Sequence, residues 1–405
     1  MIYSASYYYA SHTLGFSSNY YFKNQAMYVV AGLALMIGVG FIRPGFWKKF
    51  GWIALFLAFA VLIAVRIPGV GHASHGAYRW IKLPGGVTIQ VAEPIKIAMI
   101  VFMAMAMTKY KITDKFVLIS LFVIFAMMSL MLLLLSNNLS TAIIVFLVLY
   151  FTMMVNFPKP KWFVIVMVAG IIFAVLAVIY IDKFTTYNPE ENFRITRIRA
   201  WRHPTDPLYA DDQAYQSTQA LYAIASGGFF GKGLGRSLIK YVLPEPHNDY
   251  ILAIVFEELG ILGVLILTFL FIYLLYRIFV IYLNTKNRFS GLLCLGVFFH
   301  IAFQVLINYA VTLGLFPTTG VTLTFISAGG SAVLFTLIEI GLVLAVDREN
   351  KERVLYLQAE KALKKEDPLY RQYKDQEEEE ARMRRERNRI RKRKLREREA
   401  LRGRR

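Results

Sequence analysis

Apolar stretches close to the length of a bilayer crossing recur nine times, at about 25–42, 51–67, 93–108, 116–136, 139–157, 162–181, 250–275, 290–311 and 330–346. A hydrocarbon core of ~30 Å takes about 20 residues of helix, and lipid leaves no water to satisfy a backbone that is not hydrogen-bonded within its own segment. The runs are too long and too numerous for buried strands or core helices. The predicted fold is therefore all-α, a polytopic membrane helical bundle. A hydrophobic content of 57% over 405 residues excludes a soluble globule. The third run is short and holds Glu93 and Lys96, so its limits are the least sharp.

The connections alternate in charge. Arg43, Lys48 and Lys49 follow the first run, Lys109, Lys111 and Lys115 the third, Lys159 and Lys161 the fifth, and Arg277, Lys286 and Arg288 the seventh; a basic tail follows the ninth. All five fall on one side, which the positive-inside rule makes cytoplasmic. Trp47, Trp52 and Trp162 stand at the same ends, as interfacial anchors do. The opposite, outward side has two long segments, 68–92 and 182–249, and function is expected there because binding and catalytic groups concentrate on loops held by a rigid scaffold. The expected organisation is a membrane domain, 1–348, with an outer loop, 182–249, and a cytoplasmic charged tail, 349–405.

The outer loop is too long to be mere connection. FRITRIRAW, 193–201, puts Arg194 and Arg197 on one face if helical, 215–224 is amphipathic, and GGFFGKGLG follows at 227–235. Short helices lying in the headgroup zone are expected. The net charge of +19 resembles a nucleic-acid signal only until it is located: residues 381–405 hold 14 Arg or Lys against 3 Glu. A solvated tail near anionic lipid accounts for it, with a cytoplasmic partner or nucleic acid as the alternative contact; no nucleic-acid partner is expected. Cys294 lies within an apolar run and reads as a small packing residue, so no disulfide framework exists. The opening MIYSAS reads as the end of a helix with nothing before it, and no signal peptide is expected.

The stretch LPEPHNDYILAIVFEELG, Leu243 to Gly260, carries the most chemistry. A loop rich in proline, acid and histidine enters an apolar helix that holds Glu257 and Glu258 about two turns in, and ionisable groups inside a span line a bundle interior or a substrate path. Asp249 sits where loop becomes helix. Partial burial would raise its pKa and make it a better base, nearby arginines would oppose the shift, and a helix N-cap is the competing role.

GGFFGKGLG fails as a phosphate loop, because Gly233 follows Lys232 and the context is helical. A glycine turn that brings backbone to the membrane surface fits better, although Lys232 and Arg236 could still contact a pyrophosphate. His72 and His75, with His12 on the same side, have no carboxylate or cysteine beside them and make a weak metal site. Glu93 and Lys96, three apart, can pair, either as a structural device or along the substrate path. Gln304 and Asn308, and likewise Glu339, read as hydrogen-bond partners between helices.

Taken together, MIYSAS, GAYRWIKL with Gln90, Glu93 and Lys96, NNLST at 137–141, YQSTQALYAIASGGFFGKGLG, LPEPHNDYILAIVFEELG and FPTTGVTLTFISAGGS at 316–331 resemble the SEDS family of shape, elongation, division and sporulation proteins. The wording PEPHND favours the division branch over the elongation branch. The resemblance implies a peptidoglycan glycosyltransferase that polymerises lipid II on the outer face of the cell membrane, with ten spans, of which nine are present in full. A start codon set too late would account for the first.

The resemblance also puts the family's essential aspartate on Asp249, its essential loop tryptophan on Trp80, and polar groups of the membrane cavity on Glu93 and Lys96. Glu245, His247 and Glu258 match the same motif. Val91, Asn138, Thr324 and Ala328 depart from the usual residues, which bears on cavity polarity near Asn138.

The reading that follows makes Asp249 a general base on the acceptor sugar hydroxyl, with Arg79, Arg194, Arg197 and Lys232 as cations over the leaving pyrophosphate. No dedicated cofactor or metal site is expected; a divalent ion, Mg or Mn, is plausible on the substrate pyrophosphate. Expected partners are lipid II, the growing glycan strand, a class B penicillin-binding transpeptidase and other division proteins. A lipid II flippase using Glu93, Lys96 and Glu258, and a scaffold that only recruits a transpeptidase, are the rival readings.

Overall fold

The computed structural model describes residues 1–74, 77–82, 88–111, 113–184, 193–210 and 214–366, with scattered positions between 372 and 387. His75 and most of the basic tail lie outside the described residues. The chain divides into two compact units, Met1–Arg348 and Glu349–Arg405.

In chain order the helices are α1 (Ile2–Tyr8), α2 (Tyr20–Phe41), α3 (Pro44–Lys49), α4 (Gly51–Ala64), α5 (Ala92–Lys109), α6 (Lys115–Leu135), α7 (Leu139–Asn156), α8 (Lys161–Phe184), α9 (Phe193–Arg202), α10 (Pro207–Ala210), α11 (Tyr215–Gly227), α12 (Ile251–Asn284), α13 (Arg288–Thr312) and α14 (Gly330–Glu366). Among the described residues seven, α2, α6, α7, α8, α12, α13 and α14, are long and apolar enough to cross a membrane. Two of the nine expected spans fall outside that set. The run at 51–67 gives the 14-residue α4, and the run at 93–108 gives α5, whose 18 residues include Glu93, Lys96 and Lys109.

Side chains in the connections set where helices start. Asp114, Asn138 and Asn287 each occupy an N-cap and accept from the backbone N–H of Phe116, Thr141 and Phe289. Each satisfies a donor that the first helical turn cannot, an effect of about 1 kcal/mol. The core forms around α5, which packs against α4, α7 and α13 and buries Met99, Phe102, Met103 and Met107.

Within 68–92, expected only as a long outer loop, the described residues include a small antiparallel sheet of β1 (Gly71–Ser74), β2 (Ala77–Lys82) and β3 (Thr88–Gln90), in the order β1-β2-β3. Trp80 pairs with His72 on one side and Gln90 on the other. Its strands are three to six residues long, too short for a period-two pattern to register in the sequence. The ladder runs on into the start of α5, where the Val91 N–H donates to the Arg79 carbonyl at 3.1 Å.

Helix α12 is broken at Gly260, where φ is 68° and ψ is −170°. The glycine loop after α11 closes the break. Lys232 and Gly233 N–H donate to the Glu257 and Glu258 carbonyls, and Ile261 and Leu262 N–H donate to those of Gly228 and Phe229. Irregular backbone within a span persists where neighbouring protein satisfies its polar groups, and this clasp does so. A Cβ on Gly231 would sit 2.3 Å from the Glu258 carbonyl oxygen, which is why glycine is required there. The glycine turn of GGFFGKGLG, expected to bring backbone to the membrane surface, brings it to α12 instead.

Candidate active site

Asp249 lies half-buried two residues before α12, at the end of the loop from Leu243. The loop is held tightly. Asn248 donates from its N–H to the Glu245 carbonyl at 3.0 Å and from Nδ2 to Glu245 Oε2 at 2.6 Å. Glu245 adopts φ 48°, one of three non-glycine residues with positive φ among the described residues. The others, Asn137 and Phe325, lie in the turn before α7 and in the segment before α14. Backbone strain of about 1–3 kcal/mol per residue persists where surrounding structure over-determines it, and functional sites are where it gathers.

A cavity of about 110 Å³ is lined by Arg79, Arg194 and Arg197, by Asn137, Asn138 and Ser140 at the start of α7, and by Thr318 and Thr319, and the charges of Arg79 and Arg197 in its wall act on Asp249. The three arginines arrive on two supports, a strand and a helix. Arg79, on β2, donates from Nη2 to the Asn137 carbonyl at 2.9 Å. Arg194 and Arg197 share one face of α9, as their spacing predicted; the first reaches Asn137 Oδ1 at 3.4 Å and the second the Thr318 carbonyl at 3.3 Å. Trp201, one turn on, donates to the Gly314 carbonyl at 2.7 Å and pins α9 to the same segment.

Burial pushes the Asp249 carboxyl above the usual carboxylate range, Glu245 adds to the shift, and Arg197 and Arg79 oppose it. Burial likewise lowers Arg79 and Arg197 from their ordinary value, and Arg79 is lowered further by the neighbouring Arg197 and Arg194. The result is a carboxylate of raised basicity beside a compact cationic pocket at a helix N-terminus, itself a favourable place for an anion.

The remaining expected residues divide into three places. Trp80 stands half-buried on β2, next to Arg79 in sequence and so on the opposite face of the strand. His247 is buried between Tyr21 and Tyr9, with ring centroids 4.0 and 5.5 Å away. Burial lowers its pKa to about 4, so at neutral pH it is an uncharged packing group. Lys232 and Glu258 lie with the α12 break, Glu258 being nine residues, or about 13 Å of helical rise, beyond Asp249. Lys232 Nζ is 2.7 Å from Glu257 Oε1, while Glu258 accepts from Ser4 Oγ at 2.5 Å and lies 3.6 Å from Lys240 Nζ.

Glu93 and Lys96 pair at 2.9 Å, as their spacing allows, and belong to a longer buried chain. Lys96 Nζ reaches Gln304 Oε1 at 3.0 Å, the same oxygen lies 2.9 Å from His300 Nε2, and His300 Nδ1 lies 2.6 Å from Glu339 Oε2. Gln304, Asn308 and Glu339 thus bond between segments as read from the sequence. His300 was missed, although its position four residues before Gln304 on one helix face was the available signal. Among the described residues no group of three His, Cys, Asp or Glu is gathered to hold a metal ion.

The family model described as "Cell cycle protein", covering FtsW, RodA and SpoVE, matches residues 1–352. The chain is 34% identical over 360 residues to a probable peptidoglycan glycosyltransferase FtsW of Nitrosomonas europaea, covering 87% of this chain and 89% of that one. It is 33% identical over 361 residues to the stage V sporulation protein E of Bacillus subtilis, covering 87% and 93%. Two solved structures share the fold. A chain of a peptidoglycan synthase complex superposes with a TM-score of 0.67 at 24% identity, over 86% of this chain and 96% of that one; the rod shape determining protein RodA of Thermus thermophilus does so with 0.59 at 22%, over 86% and 94%.

Proposed function

Because this chain belongs to the FtsW, RodA and SpoVE family of cell cycle proteins, we propose that it is a peptidoglycan glycosyltransferase of septal cell-wall synthesis, polymerising lipid II with release of undecaprenyl pyrophosphate. The observation that carries the site assignment is a half-buried Asp249 whose carboxyl feels the charges of Arg79 and Arg197, two of the three arginines that line one cavity.

Asp249 takes the proton from the acceptor sugar 4-hydroxyl as its oxygen attacks the donor's anomeric carbon. A carboxylate held above its usual range is closer to the pKa of an efficient base near neutrality. The bond to the pyrophosphate oxygen breaks, and the negative charge left on that oxygen meets Arg79, Arg194 and Arg197, which are already held in place and need little reorganisation. We place any divalent ion, Mg or Mn, on the substrate pyrophosphate. An apolar groove of about 510 Å³ between α4, α5 and α14, with Pro94 and Ile95 in its wall beside Glu93, suits the polyprenyl chain of a lipid-linked sugar.

Lys232, Glu258 and His247, bound into their own surroundings, act in this reading as supports of the site, and Trp80 remains the aromatic candidate for a sugar face. A class B penicillin-binding transpeptidase is the expected partner, with the active site on the outer face and the tail cytoplasmic. The test is polymerisation of lipid II by the purified full chain with its transpeptidase. Wild type is expected to form glycan and Asp249→Asn to form none. Growth at the wild-type rate by Asp249→Asn would end the assignment, and flipping of labelled lipid II in proteoliposomes without glycan formation would replace it with transport.

A further inference from the structure

Three consecutive carbonyls of the segment that ends in Asp249 are each held by a donor from outside it. The Ala328 N–H donates to the His247 carbonyl at 2.8 Å, Ser327 Oγ to that of Asn248 at 2.7 Å, and Asn308 Nδ2 to that of Asp249 at 2.7 Å. Asn308 Nδ2 also donates to the Val321 carbonyl at 2.8 Å. Both of its contacts are carbonyl oxygens, so nitrogen must face them, and its two hydrogens join α13, the Asp249 loop and the segment before α14 at one point. The Ser327 hydroxyl accepts from the Leu323 N–H at 2.7 Å while it donates, which leaves it one orientation. Asn308 and Ser327 are each 1% exposed.

We propose that Asn308 and Ser327 are positioning residues for the transfer reaction: by holding the Asp249 and Asn248 carbonyls they fix where the Asp249 carboxylate stands relative to Arg79 and Arg197. The proposal rests on Asp249 being the base. With the carbonyl pinned, only the two side-chain torsions of Asp249 remain to be set. The segment 316–329 then serves the chemistry from behind the reacting groups through Ser327 and the Val321 carbonyl. An error of about 1 Å in such a group can cost about 10²-fold in rate.

The test uses the full chain co-purified with a class B transpeptidase and measures lipid II polymerisation as kcat, KM and pH profile. Asn308→Asp keeps the volume but sets an acceptor against two carbonyls, and is expected to lower kcat by about 10²-fold with KM changed little. Ser327→Ala is the milder lesion, expected to lower kcat by about 10-fold, and Ser327→Thr, which keeps the hydroxyl, should restore it. In both defective variants the acid limb of the pH profile should move, because the carboxylate changes its distance from Arg79 and Arg197. If Asn308→Asp does not fold, Ser327→Ala decides. Folded variants with wild-type kcat and an unmoved acid limb, alongside an inactive Asp249→Asn, would overturn the proposal and leave the base intact. Lost activity that tracks lost thermal stability, with the acid limb unmoved, would overturn it as well. An active Asp249→Asn would instead remove the parent reading, whatever Asn308 and Ser327 do.

Discussion

His300 Nδ1 lies 2.6 Å from Glu339 Oε2, and the contact joins α13 to α14 where both side chains are 2% exposed. Glu93 and Glu339 supply two carboxylates to the buried chain and Lys96 one ammonium, and the His300 ring joins Glu339 to Gln304. Removing one partner of a buried pair leaves an uncompensated charge, at a cost of about 3–5 kcal/mol, whereas replacing both by apolar groups is often neutral. His300→Leu should therefore lower the thermal midpoint in detergent markedly. His300→Leu combined with Glu339→Leu should recover most of the loss, and a double variant as unstable as the single one would contradict the pairing.

The pH dependence of polymerisation follows from the surroundings of Asp249. A base must be ionised, so the rate rises with pH through the carboxyl's pKa, which burial sets above the usual range of about 4. Arg197 favours the charged form. Arg197→Gln should move the acid limb to higher pH, and Glu245→Gln, which removes an opposing negative charge, should move it to lower pH. Both shifts are read from pH–rate profiles taken at saturating lipid II.

Arg197 also meets the leaving group in the proposed reaction. Loss of one preorganised donor at a site of developing charge costs about 10²- to 10³-fold in kcat. Arg197→Gln at its own pH optimum should remain slower than wild type by about 10²-fold, which separates the loss of leaving-group stabilisation from the shift in the base.

The break in α12 makes a contrast within one loop. Gly231 and Gly235 both have positive φ, 76° and 80°, but a Cβ on Gly231 meets the Glu258 carbonyl at 2.3 Å while one on Gly235 meets nothing within 4 Å. Gly235→Ala should cost about 1–2 kcal/mol of backbone strain. Gly231→Ala should cost more and lower the yield of folded protein, which size-exclusion profiles and thermal midpoints would register.

The sequence made the helical bundle legible because hydropathy integrates over some twenty residues and tolerates local detail. It marked Asp249 by position, a carboxylate where a loop enters a span, and paired Arg194 with Arg197 by spacing. It could not bring Arg79 to them, since that depends on a three-stranded sheet whose strands are too short to show periodicity. Lys232 and Glu258 looked available for substrate because nothing in a linear reading reveals that Glu257 and Lys240 stand beside them. Ser327 carried no chemical signal at all. Its importance here comes from a carbonyl 79 positions earlier in the chain.

One helix stands apart from this density of contact. Within α8 only Phe163 is buried, and Ile165, Val166, Ile171, Phe173, Leu176 and Tyr180 are each more than half exposed. A flank that touches chiefly hydrocarbon is selected for greasiness and length rather than for the shape of any one side chain. Along most of α8, then, exchanges among Leu, Ile, Val and Phe should pass unnoticed by a growing cell, so that this segment can drift freely between lineages while α5 and α13, largely enclosed by other helices, stand nearly still.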